Sequence, residues 1–231
     1  MNLKKYLSYF SIFEWCLWLG SLTVITLSFF LGGNFHILTL TASLVGASAL
    51  IFLAKGNVLG QFLIIIFSLL YGVVSWEFKY YGELITYIFM TLPSAAVAAV
   101  TWLKNPSEKG KNEVAVAPLN SKKIIFLLLT TVLTTIVFYF LLEYFQTANL
   151  LLSTISIATS ALASLLTILR SPYYALAYAA NDVVLIGLWT LASIEIISYL
   201  PMVFCFIAFL INDLYGFISW RRMERRQLSG D

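Results

Sequence analysis

Eight apolar runs alternate with short polar breaks along the chain, at roughly residues 11–31, 35–54, 57–76, 83–103, 123–142, 149–169, 172–193 and 199–219. Each is about the length an α-helix needs to cross the hydrocarbon of a bilayer, 17–25 residues. The breaks read Gly32-Gly33-Asn34, Lys55-Gly56-Asn57, Tyr81-Gly82-Glu83 and Arg170-Ser171-Pro172. One break is longer. Lys104–Lys123 is polar, contains Pro106, Gly110 and Pro118, and divides the chain. The pattern predicts an all-α polytopic membrane protein with eight transmembrane helices.

The runs repeat. Run two ends at Lys55 and run six at Arg170, 115 residues on; run four closes at Trp102 and run eight at Trp220, 118 residues on. Runs two to four therefore match runs six to eight. Both triplets run the same way, because a single span, run five, joins them. The predicted organisation is a peripheral helix (1–34), a three-helix repeat (35–103), a linker with a connecting helix (104–148), a second parallel three-helix repeat (149–220) and a tail (221–231). Parallel repeats about an axis along the membrane normal are a transporter architecture, with the site at the repeat interface near midplane.

Composition agrees. Apolar residues make up 61% of the chain and charged residues 11%, under half the charge of an average soluble domain, about 25%. With the N-terminus inside, the inner segments hold Lys4, Lys5, Lys55, Lys104, Lys109, Lys111, Lys122, Lys123, Arg170, Arg221, Arg222, Arg225 and Arg226, and the outer segments hold Lys79 alone. Basic residues collect on the cytoplasmic side, so both termini are expected in the cytoplasm and the protein in the plasma membrane. The two cysteines, Cys16 and Cys205, sit in apolar runs, and a single histidine, His36, argues against a metal site. No phosphate-binding G-x-x-x-x-G-K-[ST] occurs, so no nucleotide is hydrolysed. No cofactor, metal or nucleic-acid partner is expected; the partners are the lipid bilayer and a small solute, and a homo-oligomer stays open.

Polar groups within the runs carry the chemistry, since an unpaired amide or acid in hydrocarbon costs several kcal/mol. Asn181 and Asp182 lie near the middle of run seven, flanked on one helical face by Tyr174, Tyr178 and Trp189. Asn212 and Asp213 lie at comparable depth in run eight, where Asn212, Tyr215, Gly216 and Ser219 form a stripe. Run three aligns Asn57, Gln61, Ser68, Gly72 and Ser75; run four aligns Tyr87, Thr91 and Ser94, interrupted by Pro93. These groups line a hollow or simply tie helices together. Trp15, Trp18, Trp102 and Trp220 read as anchors at the membrane boundary; for Trp189, boundary and site are both open.

With these motifs the chain resembles the PnuC family of nicotinamide riboside transporters. The matching residues are A-N-D-V-V-L-I-G-L-W at 180–189, L-P at 200–201, F-L-I-N-D-L-Y-G-F-I-S-W-R-R at 209–222, G-Q at 60–61, Y-G at 71–72, Y-G-E at 81–83 and T-L-P with T-W-L-K-N-P between 91 and 106. The resemblance implies a fold related to the SWEET sugar transporters and facilitated diffusion of the riboside. A separate cytoplasmic riboside kinase would trap it, a functional rather than a bound partner. Branches carrying thiamine or riboflavin are the alternative. It implies substrate contacts from Gln61, Asn181, Trp189, Asn212 and Tyr215, with Tyr178, Asp182 and Asp213 as further candidates. Where an echo of N-D-L-Y-G would fall in the first repeat, it reads P-S-A-A-V-A-A, so an asymmetric site is expected. Two other classes compete: an intramembrane aspartyl enzyme built on Asp182 and Asp213, which lacks the G-x-G-D of such proteases, and a receptor or scaffold.

Overall fold

The computed structural model describes residues 9–31, 36–77, 81–108, 112–147 and 149–229. The Gly32-Gly33-Asn34 break and Lys4, Lys5, Lys79, Lys109 and Lys111 lie outside them. Among the described residues eight helical segments are long and apolar enough to cross a membrane. They are α1 (Ile12–Leu31), α2 (Ile37–Ala54), α3 (Leu59–Glu77), α4 (Tyr81–Lys104), α5 (Ser121–Tyr144), α6 (Leu150–Ile168), α7 (Tyr173–Glu195) and α8 (Leu200–Leu228), the last entered through a short 3-10 turn at Ile197–Tyr199. Each expected run is a helix. Only α8 departs much: it continues nine residues past residue 219, through the arginine-rich stretch assigned to a tail. Hydropathy marks where lipid ends, whereas a helix persists while its residues favour it, and Arg, Met, Glu and Gln do.

Polar punctuation becomes capping. Asn120 Oδ1 accepts from Lys123 N at 2.9 Å at the start of α5, and His36 Nδ1 takes the amide of Thr39 at the start of α2. Starting α3, Asn57 Oδ1 accepts from Leu59 N; at the equivalent point before α7, Ser171 Oγ accepts from Tyr173 N. Each satisfies a donor that the first helical turn leaves bare.

The triplets α2–α4 and α6–α8 form the two repeats. In each, the middle helix packs on both its neighbours, and the last helix of each repeat lies against the first helix of the other, α4 on α6 and α8 on α2. The turns correspond as well: Gly56 and Arg170 both take positive φ, 63° and 58°. The true equivalent of Arg170 is thus Gly56, one residue beyond the Lys55 landmark. The connector α5 packs on α6 and buries only Leu127 and Leu142, as a lipid-facing link should.

The basic end of the bundle is closed by two crossed tryptophans, and here the sequence expectation needs correcting. Trp102 and Trp220 are 2% and 0% exposed, with ring centroids 5.3 Å apart. Trp220 Nε1 donates to Leu53 O of the other repeat at 2.8 Å, and Trp102 Nε1 donates to Thr167 O at 3.0 Å. Leu53 and Thr167 occupy matching places before the two positive-φ turns, so the pair obeys the repeat's twofold symmetry. A tryptophan near a helix end and beside basic residues fits the boundary pattern, but these indoles face inward. The linker lies over them: Val114 N donates to Gly56 O and Ala117 N to Arg170 O. Gln227 at the end of α8 bonds both Val116 N and Val114 O, and Arg226 pairs with Glu113.

The N-terminal helix is bolted on rather than merely peripheral. It packs on α2 and α8. Buried Glu14 pairs with Lys55 at 3.0 Å and accepts from Tyr215 Oη at 2.8 Å; Ser21 Oγ accepts from Asn212 Nδ2 at 2.8 Å. Trp18 Nε1 donates to Ser48 Oγ at 3.0 Å, so this boundary candidate also makes a helix-to-helix bond.

Candidate functional site

A cavity lies between the repeats, and all six of their helices line it. The space between its walls amounts to about 860 Å³ with its open mouth counted, so it is partly open to the surroundings. The helix α7 brings Tyr178, Asn181, Asp182 and Leu185 to it; α3 brings Gln61, Ile64 and Phe67; α8 brings Phe206, Phe209 and Asp213. Phe209 reaches the cavity past Gly46, where a Cβ would stand 2.6 Å from its ring, so glycine is needed there.

Asn181 is oriented by α6. Its Oδ1 accepts from Ser156 Oγ and Thr159 Oγ1, both at 2.9 Å. The acceptor is therefore occupied, and its Nδ2 has no partner among the described residues. Gln61 is 2% exposed and its Nε2 is also unpartnered. Tyr178 Oη and Ser164 Oγ share a hydrogen bond at 3.2 Å. Asp182 and Asp213, on adjacent helices, place their carboxyls against each other, and Asp182 Oδ2 has no hydrogen bond among the described residues. The site thus offers amide donors, carboxylate acceptors and the rings of Phe67, Tyr87, Tyr178 and Phe206. Among the described residues no lysine, arginine or histidine lines it.

Three expected site residues lie elsewhere. Asn212 is 1% exposed and faces α1, donating to Ser21 and to Ala208 O. Tyr215 faces α1 too, through Glu14. Successive helical residues point about 100° apart, so Asp213 meets the cavity while Asn212 turns away, and a stripe through Asn212 and Tyr215 meets the added helix. Trp189 lines a second, smaller cavity at the far end with Tyr71, His36, Tyr199 and Pro201. An aromatic cluster separates the two cavities: Tyr71 and Tyr87 have centroids 4.4 Å apart, and Phe67 touches both. Tyr174, expected on the polar face, packs instead on Trp220 at 4.9 Å.

Two contributions escaped the sequence reading. The helix α6 lines the cavity with Ser156, Ser160, Ser164 and Thr167, a spacing of four, four and three that places one polar stripe on a helix. The signal was in plain view. The second is Glu83, read as punctuation, which lines the cavity with Thr86 and Tyr87. Its helix loosens into a π-turn at Tyr87–Thr91. Pro93 lacks the N–H that would bond to residue 89, and the turn widens ahead of it, a distortion common at functional positions.

Two parallel three-helix repeats around a cavity that presents a few buried polar groups, joined by one lipid-facing helix, define a multi-pass membrane transporter fold. Residues 36–222 match the family model described as nicotinamide mononucleotide transporter, and the chain belongs to that family. It is 24% identical over 189 residues to the nicotinamide riboside transporter PnuC of Neisseria mucosa, covering 80% of this chain and 72% of that one. Against its namesake from Haemophilus influenzae the identity is 24% over 191 residues, 82% and 81% of the two chains. The crystal structure of the vitamin B3 transporter PnuC superposes with a TM-score of 0.80 at 23% identity, covering 94% of each chain.

Proposed function

We propose that this protein carries nicotinamide riboside across the plasma membrane by facilitated diffusion. The observation that supports this reading most is the chemistry of the cavity wall. Two amide donors, Asn181 Nδ2 and Gln61 Nε2, suit a carboxamide oxygen. The hydroxyl and carboxylate acceptors suit ribose hydroxyls, and the aromatic rings suit a flat cationic ring. The mononucleotide differs by one phosphate, and buried phosphate wants arginine or lysine. Among the described residues the cavity supplies neither and presents carboxylates, so the riboside is the better fit. Thiamine shares the charge but lacks the carboxamide oxygen, and riboflavin's tricyclic ring is neutral.

Transport proceeds by rocking of the two repeats about the cavity. The crossed tryptophans and the linker close the basic end, which faces the cytoplasm together with both termini; the aromatic cluster of Phe67, Tyr71 and Tyr87 stands toward the outside. A cytoplasmic kinase then traps the riboside by adding the phosphate the cavity disfavours. The test is uptake of labelled nicotinamide riboside into proteoliposomes, with mononucleotide, thiamine and riboflavin as competitors. Saturable uptake that only the unlabelled riboside suppresses is expected; tight binding without uptake would favour a receptor. Asp182→Asn with Asp213→Asn abolishes any aspartyl enzyme but leaves a carrier some activity. Uptake indifferent to an imposed pH gradient is expected of facilitated diffusion.

A further inference from the structure

The cavity holds a carboxylate that the reading above leaves unused. Asp182 and Asp213 have each other. Glu83 has no such neighbour: it lines the cavity but makes no hydrogen bond or ion pair with any described residue. The bundle's ion pairs lie outside the cavity, Lys55 with Glu14, Arg226 with Glu113, Arg221 with Glu224 and His36 with Glu77. Two residues more than nine-tenths buried that line the same cavity, Gln61 and Asp182, each keep a polar atom without a partner among the described residues, Nε2 and Oδ2. A charge taken out of water needs an opposite charge beside it, and among the described residues no side chain lining the cavity supplies one.

From this we infer that the solute itself is the counter-ion, and that Glu83 makes the carrier selective for a permanently cationic ring over its neutral isostere. Glu83 precedes Tyr87 by one helical turn on the same face, so the carboxylate and the phenol ring are presented together. A flat cation between them gains a Coulomb contact from one and a ring-face contact from the other. The neutral comparison exists chemically. The 1,4-dihydropyridine form of nicotinamide riboside keeps the ribose and the carboxamide, gains a hydride and loses the ring charge. The inference rests on the transport reading for its ligand, but the charge rule can be tested separately.

The experiment is calorimetric titration of the purified full-length protein with nicotinamide riboside, its dihydro form and thiamine, repeated on Glu83→Gln. Wild type should bind the cationic riboside about tenfold or more tighter than the dihydro form. Glu83→Gln should remove most of that ratio by weakening the cation and leaving the neutral ligand alone. A wild-type ratio near one, or a ratio unchanged in Glu83→Gln, overturns the inference while riboside binding stands. If thiamine binds, depends on Glu83 and the riboside does not bind, charge selection stands and the riboside reading falls. If neither cation binds, both fall. Should Glu83→Gln fail to fold, the wild-type ratio decides alone.

Discussion

Replacing Trp220 with phenylalanine tests the crossed tryptophans as a closure. The edge-to-face contact with Tyr174 and the tilted contact with Trp102 are largely kept, while the bond to Leu53 O is lost. Leu53 O still accepts from Gly56 N at 2.8 Å, so no acceptor is stranded. The loss is one net hydrogen bond, about 0.5–1.5 kcal/mol, and interhelical bonds within membranes average nearer ~0.6. Trimming an indole that is 0% exposed adds a packing loss, for a total of about 1–2 kcal/mol. That energy is held only while the basic end is shut, so the open population should rise roughly 5–30-fold. The assay uses Ser160→Cys, a cavity residue, in a Cys16→Ser, Cys205→Ala background, labelled by an impermeant thiol reagent. Trp102→Phe should act alike, since Thr167 O keeps its bond from Arg170 N. The double variant should fall short of additivity because the rings touch. Unchanged labelling with a lowered melting temperature would refute the closure and leave a purely structural pair.

Other outcomes follow from the same contacts. Asn181→Leu should weaken riboside binding by about 1–3 kcal/mol, read by calorimetry, because it removes the oriented amide donor. Asn212→Leu and Tyr215→Phe should each lower thermal stability by about 0.5–2 kcal/mol at unchanged affinity, since both residues hold α1; a change in affinity instead would return them to the site. Lys55→Met should destabilise by about 2–4 kcal/mol and Glu14→Gln by less. The first strands a carboxylate whose side chain is 5% exposed, whereas the second leaves an ammonium at 23% that can reach water. Denaturation midpoints in detergent rank the two, and the reverse order would sink the argument.

The eight helices and their pairing were legible because lipid imposes a length and a composition on every span, and because the landmarks at Lys55, Arg170, Trp102 and Trp220 survive in both repeats. The place of Asn181 and Asp182 partway along a buried span was legible for the same reason. Orientation about the helix axis was harder to read. A span packed on several sides shows no single polar face, so Asn212 and Asp213, neighbours in sequence, could not be sorted between α1 and the cavity. Trp102 and Trp220 sit where boundary tryptophans sit, and hydropathy is blind to which way an indole points. The α6 serines were missed for a different reason: single hydroxyls hardly dent an apolar run, and only their spacing gives them away.

The crossed indoles bear on how the molecule comes to be assembled. The second bond to the end of α2 arrives from a residue made long after that helix, and the one to the end of α6 comes from a residue made long before it. Each half closes its own last turn, and each gives the other one further bond that neither makes in isolation. Two fragments severed in the linker and produced together should therefore find each other, each supplying an indole donor to the other, while either fragment alone should be short-lived.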